Sequence, residues 1–311
     1  MQGKMFCYQC EQTFGGKGCT KVGVCGKTPE IAAMQDLLIY QLKGISCYVT
    51  KLLAKGEKID KSWVSFVENS LFMTLTNVNF DPKSHMDALK KSQVIKEEVR
   101  KKAIDENVTS EEALYNLSDT KEQILEDAKK AGVMYDENLD ADIRSVRETI
   151  KYGLKGIAAY AHQARFIKYS SDEVDDFYFI ALAVLTDDKI NLQDLIKYLI
   201  KTGDMSVKVM EVLDKGNNEM YNSPTPTKVN VNIKKGPFIV ISGHELRDLE
   251  MLLEQTEGKG INIYTHGEML PSHGYPKLNK YKHLVGNFGG AWQNQQKEFD
   301  GIPGCILMTT N

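Results

Sequence analysis

A chain of 311 residues is long enough for two domains with sizeable cores. Its 42% hydrophobic and 26% charged content are those of a soluble globular protein, and a net charge of -3 gives no reason to expect nucleic acid or an anionic membrane as partner. No apolar run reaches the ~18 residues of a membrane span, and no long apolar run precedes the first cysteine, so a secretory signal is not expected and a cytoplasmic chain is the default.

Residues 1–27 are rich in cysteine and glycine and show little periodicity. Gly15, Gly16, Gly18, Gly23 and Gly26 let the backbone fold tightly around a bound group. Thr28-Pro29 reads as an N-cap followed by proline in the first helical turn. The next helix carries Met34, Leu37, Leu38, Leu42 and Ile45 on one face, and a second carries Trp63, Phe66, Val67 and Leu71. Helical patterns follow around 83–105, 110–116, 119–131, 140–169, 173–186, 191–201 and 204–215. Thr109 with Glu112, and Ser170 with Glu173, resemble capping boxes. Residues 28–222 are therefore expected to form a helical bundle domain.

Asn222-Ser223-Pro224-Thr225-Pro226-Thr227 is the best candidate for a domain boundary. After it, 238–243 reads as a buried strand, 245–257 as a helix, 261–264 as a strand, 291–298 as a helix and 306–310 as a third strand. This alternation predicts a Rossmann-like parallel α/β domain over 223–311. The chain stops at Asn311 with no helix to cover the last strand, which reads as a sequence cut inside that domain.

The strongest chemical signal is Cys7-x2-Cys10-x8-Cys19-x5-Cys25, four of the six cysteines. Thiols crowded into one segment of a cytosolic chain favour a metal over disulfides. Zinc and iron–sulfur clusters both accept four thiolates. The long uneven gaps suit a [4Fe–4S] cubane, whose irons are spread over a larger volume than one zinc ion. Cys47 and Cys305 stand apart and read as small buried hydrophobes.

His244 and Glu268 each follow an expected strand, and ligands of open α/β sheets gather at the carboxyl ends of strands. Histidine with carboxylate suits iron. From position alone, a helix N-terminus at 243–245 and a polar loop at 265–276 are the plainer reading. His266, His273 and His283 lie in or near that loop, where they read as polar loop residues able to supply protons or support the ligands. His85 and His162 fall in helices and read as surface or core-satisfied. Gly286-Asn287-Phe288-Gly289-Gly290 lacks the spacing of a phosphate loop and is weak evidence for a nucleotide.

These motifs together resemble the hybrid-cluster protein family, the hydroxylamine reductases. The resemblance is carried by Met5-Phe6-Cys7-Tyr8-Gln9-Cys10-Glu11-Gln12-Thr13, Gly18-Cys19-Thr20 and Gly23-Val24-Cys25-Gly26-Lys27. It continues in Ser242-Gly243-His244-Glu245-Leu246, in Tyr264-Thr265-His266-Gly267-Glu268-Met269-Leu270-Pro271 and in Leu307-Met308-Thr309-Thr310-Asn311. The spacing of the cysteines is similar to the branch from strict anaerobes. The resemblance implies a [4Fe–4S] cluster on Cys7, Cys10, Cys19 and Cys25, with His244 and Glu268 as two ligands of a hybrid [4Fe–2O–2S] cluster. By the same resemblance the remaining ligands follow Asn311, so this chain alone is expected to be inactive. The implied activity is reduction of hydroxylamine to ammonia and water, with related nitric oxide reduction. Electrons would come from a reductase or a ferredoxin-like donor. The rival expectation is a non-catalytic module holding zinc or a relay cluster on the four cysteines.

Overall fold

The computed structural model describes residues 5–103, 107–135 and 139–310. The last residues of the 83–105 pattern and Asn311 lie outside the described residues. The chain divides into two compact units, Met1–His162 with Ser170–Met210, and Gln163–Tyr169 with Glu211–Asn311.

The first unit is helical. Its elements are α1 (Pro29–Ala54), α2 (Lys61–Met73), α3 (Pro82–Lys102), α4 (Glu111–Leu114), α5 (Lys121–Asp127), most of α6 (Ala141–Phe166), α7 (Asp172–Val184) and the first part of α8 (Leu192–Tyr221). The Thr28 hydroxyl accepts from Ile31 N–H and caps α1, which packs against α3 and α7. The apolar faces read for α1 and α2 are all buried. Two caps sit one residue later than expected: Ser110, not Thr109, caps α4, and Ser171 precedes α7 without a side-chain cap bond. The patterns at 191–201 and 204–215 are one helix running through Gly203. A helical glycine costs about 1 kcal/mol, and burial of Leu195, Met205 and Val209 on the same helix outweighs it.

The second unit holds β1 (Phe238–Ser242), α9 (Leu246–Thr256), β2 (Asn262–His266), α10 (Pro276–Asn279), β3 (Leu284–Phe288), α11 (Gln295–Glu298) and β4 (Cys305–Met308). All strand pairs are parallel, in the order β3-β2-β1-β4. Ile241, Leu249, Leu253, Ile263 and Leu278 form its core together with Tyr221 at the end of α8.

One strand was not expected. The glycine-rich 286–290 segment is largely β3, and a Cβ on Gly286 would stand 2.2 Å from the Asn230 carbonyl oxygen. The segment after α8 runs along this edge, with Asn287 N–H donating to Asn230 O at 2.9 Å. The glycine there serves close backbone approach rather than phosphate binding. No helix among the described residues is long and apolar enough to cross a membrane.

Candidate metal centres

The cysteine segment is folded by its own backbone. Cys7 and Cys19 form an antiparallel bridge, exchanging N–H to carbonyl bonds of 3.1 and 2.9 Å. Gly18 makes this approach possible: at φ +140° it lies so close to Phe6 that a Cβ would stand 2.6 Å from the ring. A second turn, with Gly23 N–H donating to Lys27 O at 2.8 Å, delivers Cys25 just before α1.

Burial pushes the Cys10 thiol up, and the neighbouring Cys25, Cys7 and Cys19 push it further, although a backbone bond from Gln12 opposes them. Cys10 thus feels the other three sulfurs. Cys19 is also raised by burial, but hydrogen bonds from the Phe14 and Val24 backbone and the Thr13 hydroxyl, with the Lys27 charge, leave it below its ordinary value. Phe14 N lies 3.4 Å from Cys19 Sγ, and the buried Lys27 ammonium lies 4.0 Å from Cys7 Sγ. Charge-assisted donors of this kind favour thiolates.

Among the described residues, no three His, Cys, Asp or Glu side chains are gathered closely enough for one metal ion. A cubane sets its thiolates wider apart, because each binds a different iron. Four thiols, three of them within electrostatic reach of Cys10 and the set supported by N–H donors and one buried cation, fit such a cluster in donor type and number.

The second site follows from sheet register. Ser242 pairs with His266 on one side and with Met308 on the other. Two residues beyond each lie His244, Glu268 and Thr310, which therefore share one row at the carboxyl edge. His244 Nε2 meets Glu268 Oε2, and His244 Nδ1 lies 3.0 Å from Thr310 Oγ1. Gly243 and Gly267 lead into the two side chains at φ +153° and +50°. A Cβ on either would strike its neighbour, Thr309 Oγ1 at 1.6 Å or Gly290 O at 2.3 Å. The His244 and Glu268 side chains are about two-fifths exposed, at 41% and 43%. Together they offer one nitrogen and one carboxylate to a cation, two donors of the larger set a multi-iron cluster requires.

Other histidines are structural. His266 is not a loop residue but the buried end of β2, 2.9 Å from Ser242 Oγ through Nδ1 and 2.9 Å from Glu298 Oε2 through Nε2. His273 is buried against Thr265, and burial lowers its pKa. His85 is buried between the Asp81 carbonyl and Gln35. Cys47 is buried as expected, against the Ser110 and Thr186 hydroxyls. Cys305 is a correction: it is exposed, because β4 lies at the edge of the sheet and only Ile306 of that strand is partly shielded. Glu245 and Thr310, which adjoin these groups, lie in segments that carried the family resemblance but were given no role there, and Glu298 carried no motif.

Comparison with known proteins places these sites in context. The profile of the Prismane/CO dehydrogenase family matches residues 5–311. A hydroxylamine reductase of Acetivibrio thermocellus is 47% identical over 99% of this chain and 56% of its own length. Hydroxylamine reductases of Syntrophobacter fumaroxidans and Desulfovibrio desulfuricans are 46% and 45% identical, covering 99% and 100% of this chain and 57% and 56% of their own lengths. The chain thus spans a little over half the length of these relatives.

Proposed function

The chain belongs to the Prismane/CO dehydrogenase family, and we propose that it is part of an iron–sulfur oxidoreductase that reduces hydroxylamine to ammonia and water. In this reading Cys7, Cys10, Cys19 and Cys25 hold a [4Fe–4S] cluster, and His244 and Glu268 are two ligands of a hybrid [4Fe–2O–2S] cluster. The helices over 28–222 serve as a bundle domain, and the sheet opens a Rossmann-like domain over 223–311. The order β3-β2-β1-β4 supports this, since dinucleotide-binding sheets begin 3-2-1-4.

When bound, the clusters supply electron relay and an iron position at which an N–O group can be reduced. The protein's own groups do the rest. Phe14 N–H, the Thr13 hydroxyl and the Lys27 ammonium stabilise negative charge on the cysteine sulfurs. His244 and Glu268 face a partly open edge of the sheet, where a small substrate has access. The reduction takes two electrons and two protons for each hydroxylamine. The electrons would come from a reductase or a ferredoxin-like protein. Nitric oxide is a related substrate on the same reasoning.

The observation that carries this reading is the convergence of His244 and Glu268 at the carboxyl edge of a parallel sheet, in a chain whose N-terminus gathers four thiols. The test is dye-linked hydroxylamine reduction by the anaerobically prepared complete protein of which this chain is a part. His244→Ala and Glu268→Gln should abolish turnover while the iron–sulfur signal of the cysteine site remains. Undiminished turnover in His244→Ala would refute the assignment.

A further inference from the structure

The connection between α2 and α3 holds a backbone conformation that its residues do not favour. Thr76 stands at φ +32°, where a β-branched residue is rare and persists only if its surroundings over-determine it. Three separate segments grip this connection. The buried Lys155 ammonium of α6 donates to Thr74 O at 3.2 Å. Gln35 Nε2 of α1 donates to Asn79 O at 3.3 Å. Between them, the Thr76 N–H donates to Gln9 Oε1 at 3.2 Å, across 67 residues of sequence.

Gln9 lies between Cys7 and Cys10, in a stretch that its own backbone leaves without support. Cys7 is fixed by its bridge to Cys19, and the Cys10 carbonyl accepts from Thr13 N–H at 3.1 Å. Among the described residues, the Tyr8 and Gln9 N–H groups donate to no backbone carbonyl. Tyr8 is half exposed, so packing does not hold the stretch either. The Gln9 side chain ties it to the helices instead. Relaxing Thr76 to a negative φ would swing the chain on one side of it, and the Gln9 bond and the run into α3 could not both survive.

We propose that Gln9, the Thr74–Thr76 turn and Lys155 form a buttress that fixes where Cys7 and Cys10 present their sulfurs to a [4Fe–4S] cluster. Gln9 and Lys155 are positioning residues, acting through the turn and not on iron. This deepens the proposed function and rests on the four cysteines holding that cluster. Groups that orient metal ligands from outside govern retention of the metal almost as the ligands do.

The test follows the cysteine-bound cluster in the anaerobically prepared complete protein, by the electron paramagnetic resonance signal of its reduced form. That signal is identified as the one Cys10→Ser removes. In excess EDTA, Gln9→Ala and Lys155→Met should each lose it about tenfold faster than the wild type. Gln9→Glu, which keeps an acceptor oxygen for the Thr76 N–H, should stay within about twofold, a rescue that general loosening of the helices would not give. Since both residues hold one turn, the double variant should also be about tenfold faster, where independent effects would multiply to about a hundredfold. Unchanged loss in Gln9→Ala, failure of Gln9→Glu to rescue, or multiplied effects would each overturn the buttress. Gln9→Ala decides the matter even if Lys155→Met does not fold. A wild type with no iron–sulfur signal would overturn the proposed function instead. The buttress would then be read from hydrogen exchange over residues 74–80, expected to be about fivefold faster in Gln9→Ala and refuted if unchanged.

Discussion

Gly243→Ala is the sharpest perturbation of the sheet edge. Gly243 has φ +153°, and an added Cβ would stand 1.6 Å from Thr309 Oγ1 and 2.9 Å from Thr309 Cβ. A side chain in this backbone region costs about 1–2 kcal/mol. Relieving the overlap moves Thr309 and breaks its N–H bond to Ser242 O (2.9 Å) and its hydroxyl bond to Glu245 (2.8 Å). At about 1 kcal/mol each, these bring the loss to about 3–4 kcal/mol. The two tryptophans allow the loss to be located, because Trp63 lies in the helical unit and Trp292 in the sheet unit. In a Trp63→Phe background, urea unfolding followed by Trp292 emission should show a midpoint lower by about 1 M or more. A loss below about 1 kcal/mol would show that the β1–β4 edge is not built as described.

Three further outcomes are expected. Burial lowers Lys96 from 10.5 to about 8, so between those values the unfolded chain binds more protons and stability rises with pH. The gain is at most on the order of 3 kcal/mol, and denaturation across pH 8–10.5 should show the slope flatten in Lys96→Met. Removing the Lys27 ammonium, 4.0 Å from Cys7 Sγ, should make the cysteine-bound cluster harder to reduce. A redox titration of Lys27→Met should show a shift on the order of 100 mV, and no shift would remove Lys27 from the account. Glu298→Leu leaves the buried His266 Nε2 without its 2.9 Å partner. It should lower sheet-unit stability by about 1–3 kcal/mol in the same urea assay, and an unchanged midpoint would show the pair to be incidental.

What the sequence made legible follows how local each signal is. The α1 and α2 faces could be read because their apolar residues recur within a few turns and bury on one side. The four cysteines could be read because they lie within one short segment. The patterns at 191–201 and 204–215 are one helix because tertiary burial carries α8 through Gly203. Strand β3 was hidden because Gly286 and Asn287 are poor strand formers, and its existence depends on pairing with β2 and on the Asn230 backbone. His244 and Glu268 were visible as residues after strands and through the motifs of the family resemblance. Their contact, and the approach of Thr310 to His244, depend on the register between β1, β2 and β4, which no local pattern specifies.

The most direct test of the central claim is the iron and acid-labile sulfide content of the anaerobically purified chain, measured with and without Cys10→Ser. The account predicts a brown protein with about four irons and four sulfides at the cysteine site, nearly all lost in the variant. One zinc per chain with no sulfide would contradict it.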